Sequence, residues 1–223
     1  NGNNLSKTAI QSLAVQSRYL MDTLEYHLLA NHLLVTLKGA IFAGCFFQGK
    51  EADMWLDICL KEMDKQISEQ FLADGAHFEL SPTYHALLTE DLLDIINILS
   101  AFGKEVPERW SRVVQKGLEW QQIITRPDGL PPLFNDAAYG ISPSLQSLLA
   151  YAEKLGISHI VKQNEGFQLL EESGYFRFDG EDYTILGDVG QIGAPYQPAH
   201  VHCDMLNFEL FIKGNPFIVD TGT

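Results

Sequence analysis

The sequence predicts an α+β chain in two parts, an incomplete α/α toroid over residues 1–159 and the start of an antiparallel β-sandwich over residues 160–223. Three observations carry that expectation. Apolar residues recur at helical spacing through the first two thirds of the chain. The helical segments alternate between amphipathic and apolar on every side. After about residue 160 the period drops from that of a helix to that of a strand, and hairpin turn signals appear.

An amphipathic helix keeps one wet side, whereas a helix apolar all round must be covered everywhere. Alternating the two suits a double ring of antiparallel helical hairpins. Residues 5–20 form the first helix, and 23–47 a long segment apolar almost all round. Residues 51–71 are amphipathic, with Trp55, Ile58, Cys59, Met63 and Ile67 on one side and Lys61, Glu62 and Lys65 mostly elsewhere. A loop from Ala73 to Glu79 precedes a helix that Ser81 caps and Pro82 opens, running to about Ala101 and stopping near Gly103. Further helices span about 107–124 and run from Ser142-Pro143 to Gly156. In the β part, Gly174 to Phe178, the turn signal Asp179-Gly180 and Tyr183 to Leu186 make a hairpin. Leu206, Phe208, Leu210 and Ile212 then alternate with Met205, Asn207, Glu209 and Phe211. Lys213-Gly214-Asn215-Pro216 turns the chain into Phe217-Ile218-Val219. This predicts an antiparallel sheet with one well-buried face.

The 223 residues, 46% of them hydrophobic, are enough for one large or two modest cored domains. Fifteen basic against twenty-nine acidic residues give a net charge of −14. That excludes nucleic acid as a partner, because phosphate binding needs clustered Lys and Arg, and it counts against a densely sulfated ligand. No apolar run reaches the length of a membrane span; the longest, Leu33 to Phe47, is broken by Lys38, Gly39 and Gly44. Cys45, Cys59 and Cys203 have no ligand-like spacing and read as buried free thiols. The first residues carry neither a leader pattern nor an initiator Met, and Ile218 to Thr223 run from a strand into a turn. A chain cut at both ends is therefore expected, which leaves the compartment open; the oligomeric state is not legible either.

Asn31-His32 interrupts the most buried helical segment, where polar groups are either paired in the core or face a cleft. His27, one turn earlier, favours the cleft. Tyr84 falls in the first turn of the helix opened by Pro82. There the helix dipole favours phenolate, so a pKa below the usual value of about 10 is expected. A proton-transfer role and a helix-anchoring aromatic both fit. His200, His202 and Asp204 share one face if the chain is extended, as a metal site or a catalytic cluster requires. Three titratable groups on one face favour function over core, and Asp220, at the end of a neighbouring strand, can approach the same cluster.

Four separated motifs occur in the order seen in the heparinase II/III-like superfamily of polysaccharide lyases. They are Asn31-His32, then Phe78-Glu79-Leu80-Ser81-Pro82-Thr83-Tyr84-His85, then Leu133-Phe134-Asn135-Asp136. The fourth runs from His200-Val201-His202-Cys203-Asp204 through Val219-Asp220-Thr221-Gly222. The chain resembles that group over nearly its whole length. The resemblance implies a toroid joined to a sandwich, with the active site in the cleft between them. It implies that Asn31 neutralises a uronate carboxylate, that Tyr84 is the Brønsted acid, and that His200 and His32 assist neutralisation or proton removal. Substrate contacts are expected from His27, His77, Glu79, His85 and Asn135. His202 and Asp220 match two ligands of a structural zinc whose third, a histidine, lies beyond Thr223; no redox cofactor is implied. The group also implies a periplasmic or secreted bacterial protein acting on an acidic polysaccharide or oligosaccharide. Leu80 stands where some relatives carry a basic residue, which weakens the case for a strongly anionic ligand.

The implied reaction is β-elimination. With the carboxylate neutralised, a Tyr or His removes the C5 proton and a Tyr protonates the departing O4. A glycoside hydrolase on a helical toroid would instead need two carboxyl groups flanking the bond, with Glu79 and Asp136 as the loop candidates. An iron oxygenase reading His202 and Asp204 as its His-x-Asp needs a second histidine downstream, and none follows His202. A glycan-binding or surface-polysaccharide assembly protein keeps the fold without turnover.

Overall fold

The computed structural model describes residues 5–158, 166–194, 196–202 and 206–222. Among the described residues six helices come first: α1 Lys7–Asp22, α2 Ala30–Phe46, α3 Lys50–Gln70, α4 Pro82–Ala101, α5 Glu108–Ile124 and α6 Leu145–Lys154. Five strands follow: β1 Gly166–Leu170, β2 Tyr175–Asp179, β3 Tyr183–Asp188, β4 Asn207–Ile212 and β5 Asn215–Ile218. The expected order, helices and then an antiparallel sheet, is what the chain forms. The expected boundary near residue 160 lies outside the described residues.

The amphipathic and all-round apolar segments sort as burial requires. α2 packs against α1, α3 and α4, and α4 against α2, α5 and α6. Leu33, Leu37 and Ile41 of α2 share one core with Cys59, Met63 and Ile67 of α3, Leu88, Leu92 and Leu99 of α4, and Trp110 of α5. Cys45 and Cys59 are buried free thiols, and Cys203 lies outside the described residues. No described helix is long and apolar enough to cross a membrane.

Two helix starts differ from expectation. The segment 23–47 is not one helix: Leu29 and Ala30 have φ of 61° and 51°, and this turn makes Ala30 the first residue of α2. No side chain of its own segment caps α2. Its start is held from a distance, by Gln70 Nε2 donating to the Ala30 carbonyl at 3.1 Å and by the carboxylate of Glu79 accepting the Asn31 backbone N–H at 3.4 Å. α6 begins two residues later than Ser142-Pro143 suggests, because Ser144 supplies the cap, its Oγ accepting from the Ser147 N–H at 3.2 Å. Ser81 does precede α4, but its side chain makes no cap bond and its Oγ is buried without a partner.

The sheet is an antiparallel meander in the order β1-β2-β3-β4-β5. Its buried face is the opposite of the one the apolar alternation indicated. Leu170, Tyr175, Arg177, Leu186, Asp188, Glu209 and Phe211 are buried, while Phe167, Leu169, Tyr183, Phe208 and Ile212 are exposed. The helices offer polar anchors that explain this choice. Arg177 Nη1 donates to the Ile123 and Thr125 carbonyls at 3.2 and 2.7 Å, satisfying groups at the end of α5. Tyr175 donates its hydroxyl to the Leu80 carbonyl at 2.7 Å, and Glu209 accepts the Leu133 N–H at 3.3 Å. Since successive strand residues take opposite faces, burying Glu209 and Phe211 turns Phe208 and Ile212 outward.

Candidate active site

Four segments far apart in sequence meet where the helical part faces the sheet. Asn31 stands in the first turn of α2, and Glu79 and Tyr84 flank the start of α4. Asp136 lies between α5 and α6, and His200 in irregular chain before β4. Asn31 Nδ2 is 3.0 Å from each carboxylate oxygen of Glu79 and 3.4 Å from His200 Nε2. His200 Nδ1 is 2.8 Å from Asp136 Oδ2. The imidazole lies against the Tyr84 ring, with centroids 3.8 Å apart and planes 32° from parallel.

The chemistry of the partners sets the protons. A carboxylate only accepts, so in the contact with Asp136 the donor is His200 Nδ1, and the neutral ring then presents its lone pair at Nε2. Asn31 Nδ2 then gives one hydrogen to Glu79 and aims the other at His200. Burial pushes the Glu79 carboxyl above its usual pKa, an effect offset in part by the hydrogen bonds from Asn31. Tyr84 is also pushed up, first by burial and then by the carboxylates of Asp136 and Glu79. The downward shift expected from the helix dipole is therefore corrected. A dipole at a first turn contributes under about 1 kcal/mol in most settings, and desolvation together with two nearby anions outweighs it.

Asp136 owes its position to backbone geometry. Asn135 and Asp136 have φ of 51° and 59°, a left-handed pair that Asn and Asp adopt more readily than other side chains. The turn sends Asp136 to His200 and Asn135 inward, where its Nδ2 donates to Asp188 Oδ2 at 2.6 Å and approaches the Tyr175 hydroxyl at 3.1 Å. Asn135 thus ties the loop to the sheet, away from the cleft expected of it. An Asn-Asp pair in a loop was a legible sign of such a turn, but nothing local said that Asp136 would meet a histidine 64 residues later.

The other expected substrate contacts are also placed elsewhere. His77 and His85 are buried behind the cluster. His85 Nδ1 accepts the His77 N–H at 3.1 Å while Nε2 donates to the Gly117 carbonyl at 2.9 Å, and burial lowers its pKa to about 4. His77 donates from Nε2 to Gln70 Oε1 at 2.9 Å, and burial, with His85 and His200 nearby, holds it well below the usual histidine value. His27 lies exposed in the turn before α2, because the helix does not extend back to it. His32 is exposed beside Glu25, Nδ1 to Oε2 3.6 Å; one residue on from Asn31, a helix points its side chain about 100° away.

The two expected metal ligands each have partners of their own. His202 Nε2 lies 3.9 Å from Asp136 Oδ1. The Asp220 carboxylate accepts from Asn207 Nδ2 and from the Gly222 N–H, the latter at 2.7 Å. Among the described residues no three His, Cys, Asp or Glu side chains form a group that could hold a metal, so His202 and Asp220 do not make a zinc centre by themselves. His200 and His202 precede β4 instead of opening it, and Asp204 lies outside the described residues.

Comparison with known proteins identifies the frame that carries this cluster. Residues 4–155 match the family model described as heparinase II/III N-terminus, and residues 162–223 match heparinase II/III-like, C-terminal. The chain belongs to the heparinase II/III family. Asn31, Glu79, Tyr84 and Asp136 come from the N-terminal family segment and His200 from the C-terminal one, so the cluster bridges the two. A heparin-sulfate lyase of Bacteroides stercoris is 32% identical over 216 residues, covering 89% of this chain and 32% of that protein. FtsZ-localized protein C of Caulobacter vibrioides is 33% identical over 178 residues, covering 80% of this chain and 29% of that protein. A crystal structure of heparinase III superposes with a TM-score of 0.81 at 20% identity, over 96% of this chain and 38% of that one; this likeness speaks for the fold. The chain spans about a third of the length of the curated relatives it matches.

Proposed function

We propose that this heparinase II/III family protein is a polysaccharide lyase that cleaves a uronate-containing acidic glycan by β-elimination. The observation that supports it most is the convergence of a donor (Asn31), a lone pair (His200 Nε2) and a phenol (Tyr84) in one cluster, with Asn31 Nδ2 3.4 Å from His200 Nε2 and the Tyr84 ring 3.8 Å from the imidazole. Asn31 Nδ2 holds the uronate carboxylate, so that charge built up on removal of the C5 proton is stabilised. His200 Nε2 accepts that proton. The C5–H electron pair forms the C4–C5 double bond as the bond from C4 to the glycosidic oxygen breaks, and Tyr84 protonates the departing oxygen. A phenol held above its usual pKa stays protonated and suits the donor role. His200 then returns its proton to Tyr84 through solvent, which restores both groups.

A net charge of −14 and two carboxylates at the cluster favour a glycan with few sulfates. The compartment proposed with that substrate is the periplasm or the outside of a bacterial cell, as the family resemblance implies. A hydrolase reading loses one of its two carboxyl groups, because Glu79 is 2% exposed and lies beneath Asn31. The second reading is a glycan-binding or surface-polysaccharide assembly role without turnover, kept because the Caulobacter relative is named for localisation with FtsZ and not for lyase activity. Full-length protein incubated with heparan sulfate, heparin and alginate separates these. The lyase reading expects ultraviolet absorbance from an unsaturated uronate product, strongest on lightly sulfated chains. New reducing ends without that absorbance mean hydrolysis, and binding without either means assembly.

A further inference from the structure

We propose that Glu79 is the positioning residue for Asn31: its buried carboxylate selects the orientation of the Asn31 amide and leaves one N–H directed to His200 Nε2 and available to an incoming substrate. The proposal rests on the lyase reading only for what that N–H is used for.

An asparagine side chain has two nearly isosteric ends, and a half-turn about its last bond exchanges a double donor for an acceptor. A carboxylate accepts only, so an ionised Glu79 can face Nδ2 and not Oδ1. Both of its oxygens lie 3.0 Å from Asn31 Nδ2, and Oε1 also takes the Asn31 backbone N–H at 3.4 Å. One side-chain hydrogen is thereby used below. The second points to His200 Nε2, 3.4 Å away. An incoming uronate carboxylate competes for that hydrogen and frees the Nε2 lone pair it was occupying. Were the amide turned over, Oδ1 would meet the substrate carboxylate and repel it.

The backbone beneath Asn31 is clamped to match. Gln70 Nε2 donates to the Ala30 carbonyl at 3.1 Å, and Gln70 Oε1 takes the His77 Nε2 hydrogen at 2.9 Å. His77 Nδ1 then accepts the Glu79 N–H at 3.4 Å, which sets the Glu79 backbone. With its hydrogen on Nε2, His77 turns only a lone pair towards Glu79 Oε2, 3.7 Å away, and gives the carboxylate no proton.

The Glu79 carboxylate helps hold the start of α2 through the Asn31 backbone N–H, yet it is a charge kept in a poorly compensating place. The Glu79 side chain is 0% exposed, and among the described residues its ion-pair contacts are His77 and His200, with no Lys or Arg. Burying a carboxylate without a strong cation partner costs free energy that its hydrogen bonds offset only in part. A stability cost retained beside a functional donor is the pattern expected of a positioning group.

The test uses full-length protein carrying Asn31→Ala, Glu79→Gln, Glu79→Leu and the double variants. Glutamine keeps an acceptor but no longer forbids the turned-over amide, so Glu79→Gln should lower kcat by about 10-fold and Glu79→Leu by about 100-fold. KM and thermal midpoint should change little for Glu79→Gln. In the Asn31→Ala background neither Glu79 substitution should lower kcat further, since the group it positions is gone. Effects that multiply across the cycle would overturn the proposal. A second readout needs no turnover. With 15N-asparagine labelling, the Asn31 amide hydrogens should give a nuclear Overhauser signal to the His200 ring in the wild type and none in Glu79→Leu. The same signal persisting in Glu79→Leu overturns the positioning role. Its disappearance in a protein that turns over no uronate polymer leaves that role standing and removes only the lyase reading.

Discussion

Acidification from about pH 7 to about pH 4.5 probes whether His85 serves the fold or the substrate. The ring is 0% exposed and packs against Trp120 at a centroid distance of 4.4 Å. It is bonded as a neutral tautomer, accepting from the His77 N–H and donating to the Gly117 carbonyl. A proton added at Nδ1 would set two donors against each other. Burial brings its pKa from 6.5 to about 4, against a smaller upward pull from the Gly117 hydrogen bond and Asp74. Between those two values the unfolded chain binds the proton and the folded one does not, so stability is fully present above pH 6.5 and is lost as pH falls towards about 4. At about 1.4 kcal/mol per pH unit, the gap corresponds to about 3 kcal/mol. Urea unfolding across this range, on wild type and His85→Gln, measures it. Glutamine can still donate to Gly117 but has no basic nitrogen, so its stability should fall less on acidification, by about 3 kcal/mol. Equal pH slopes would refute the assignment, and so would a large rise in KM of the variant at neutral pH.

Tyr84→Phe in the full-length protein should abolish turnover through kcat with little change in KM or thermal midpoint, and near-normal rates would remove Tyr84 from the mechanism. Arg126 Nε and Glu209 Oε2 lie 3.6 Å apart, buried and without other hydrogen-bond partners. Arg126→Met or Glu209→Leu alone should each cost about 3 kcal/mol in urea unfolding while the double variant recovers most of it, and additive losses would argue against a coupled pair. The 223-residue chain alone exposes Phe208 at 43% and Phe217 at 68%; it should self-associate in sedimentation, and Phe208→Ser with Phe217→Ser should reduce this. His202 and Asp220 supply too few donors for a structural zinc, so metal analysis of this chain should find no stoichiometric zinc. A longer chain that adds the further histidine should bind zinc and lose thermal stability in EDTA.

The class of fold was legible because it depends on periodicity, which is local. Helix against strand, the hairpin at Asp179-Gly180, and the alternation of apolar and amphipathic helices all follow from which residues recur at 3.6 or at 2. Asn31, Tyr84 and His200 were legible as candidates because each is a polar group set into an apolar or structural pattern. Tertiary structure alone decided the rest. The start of α2 depends on Gln70 and Glu79, 40 and 48 residues from what they hold. The sheet buried Arg177 and Glu209 and exposed Phe208, because the helix ends and loops it met offered backbone partners and a guanidinium. Tyr84 moved up in pKa instead of down because burial desolvated it and two carboxylates from other segments arrived beside it. His77, His85 and Asn135, which look like site residues by type, became supports because their partners came from distant chain. Periodicity reports how one segment meets its surroundings on average. Which donor meets which acceptor is set by contacts dozens of residues apart, and no local pattern encodes them.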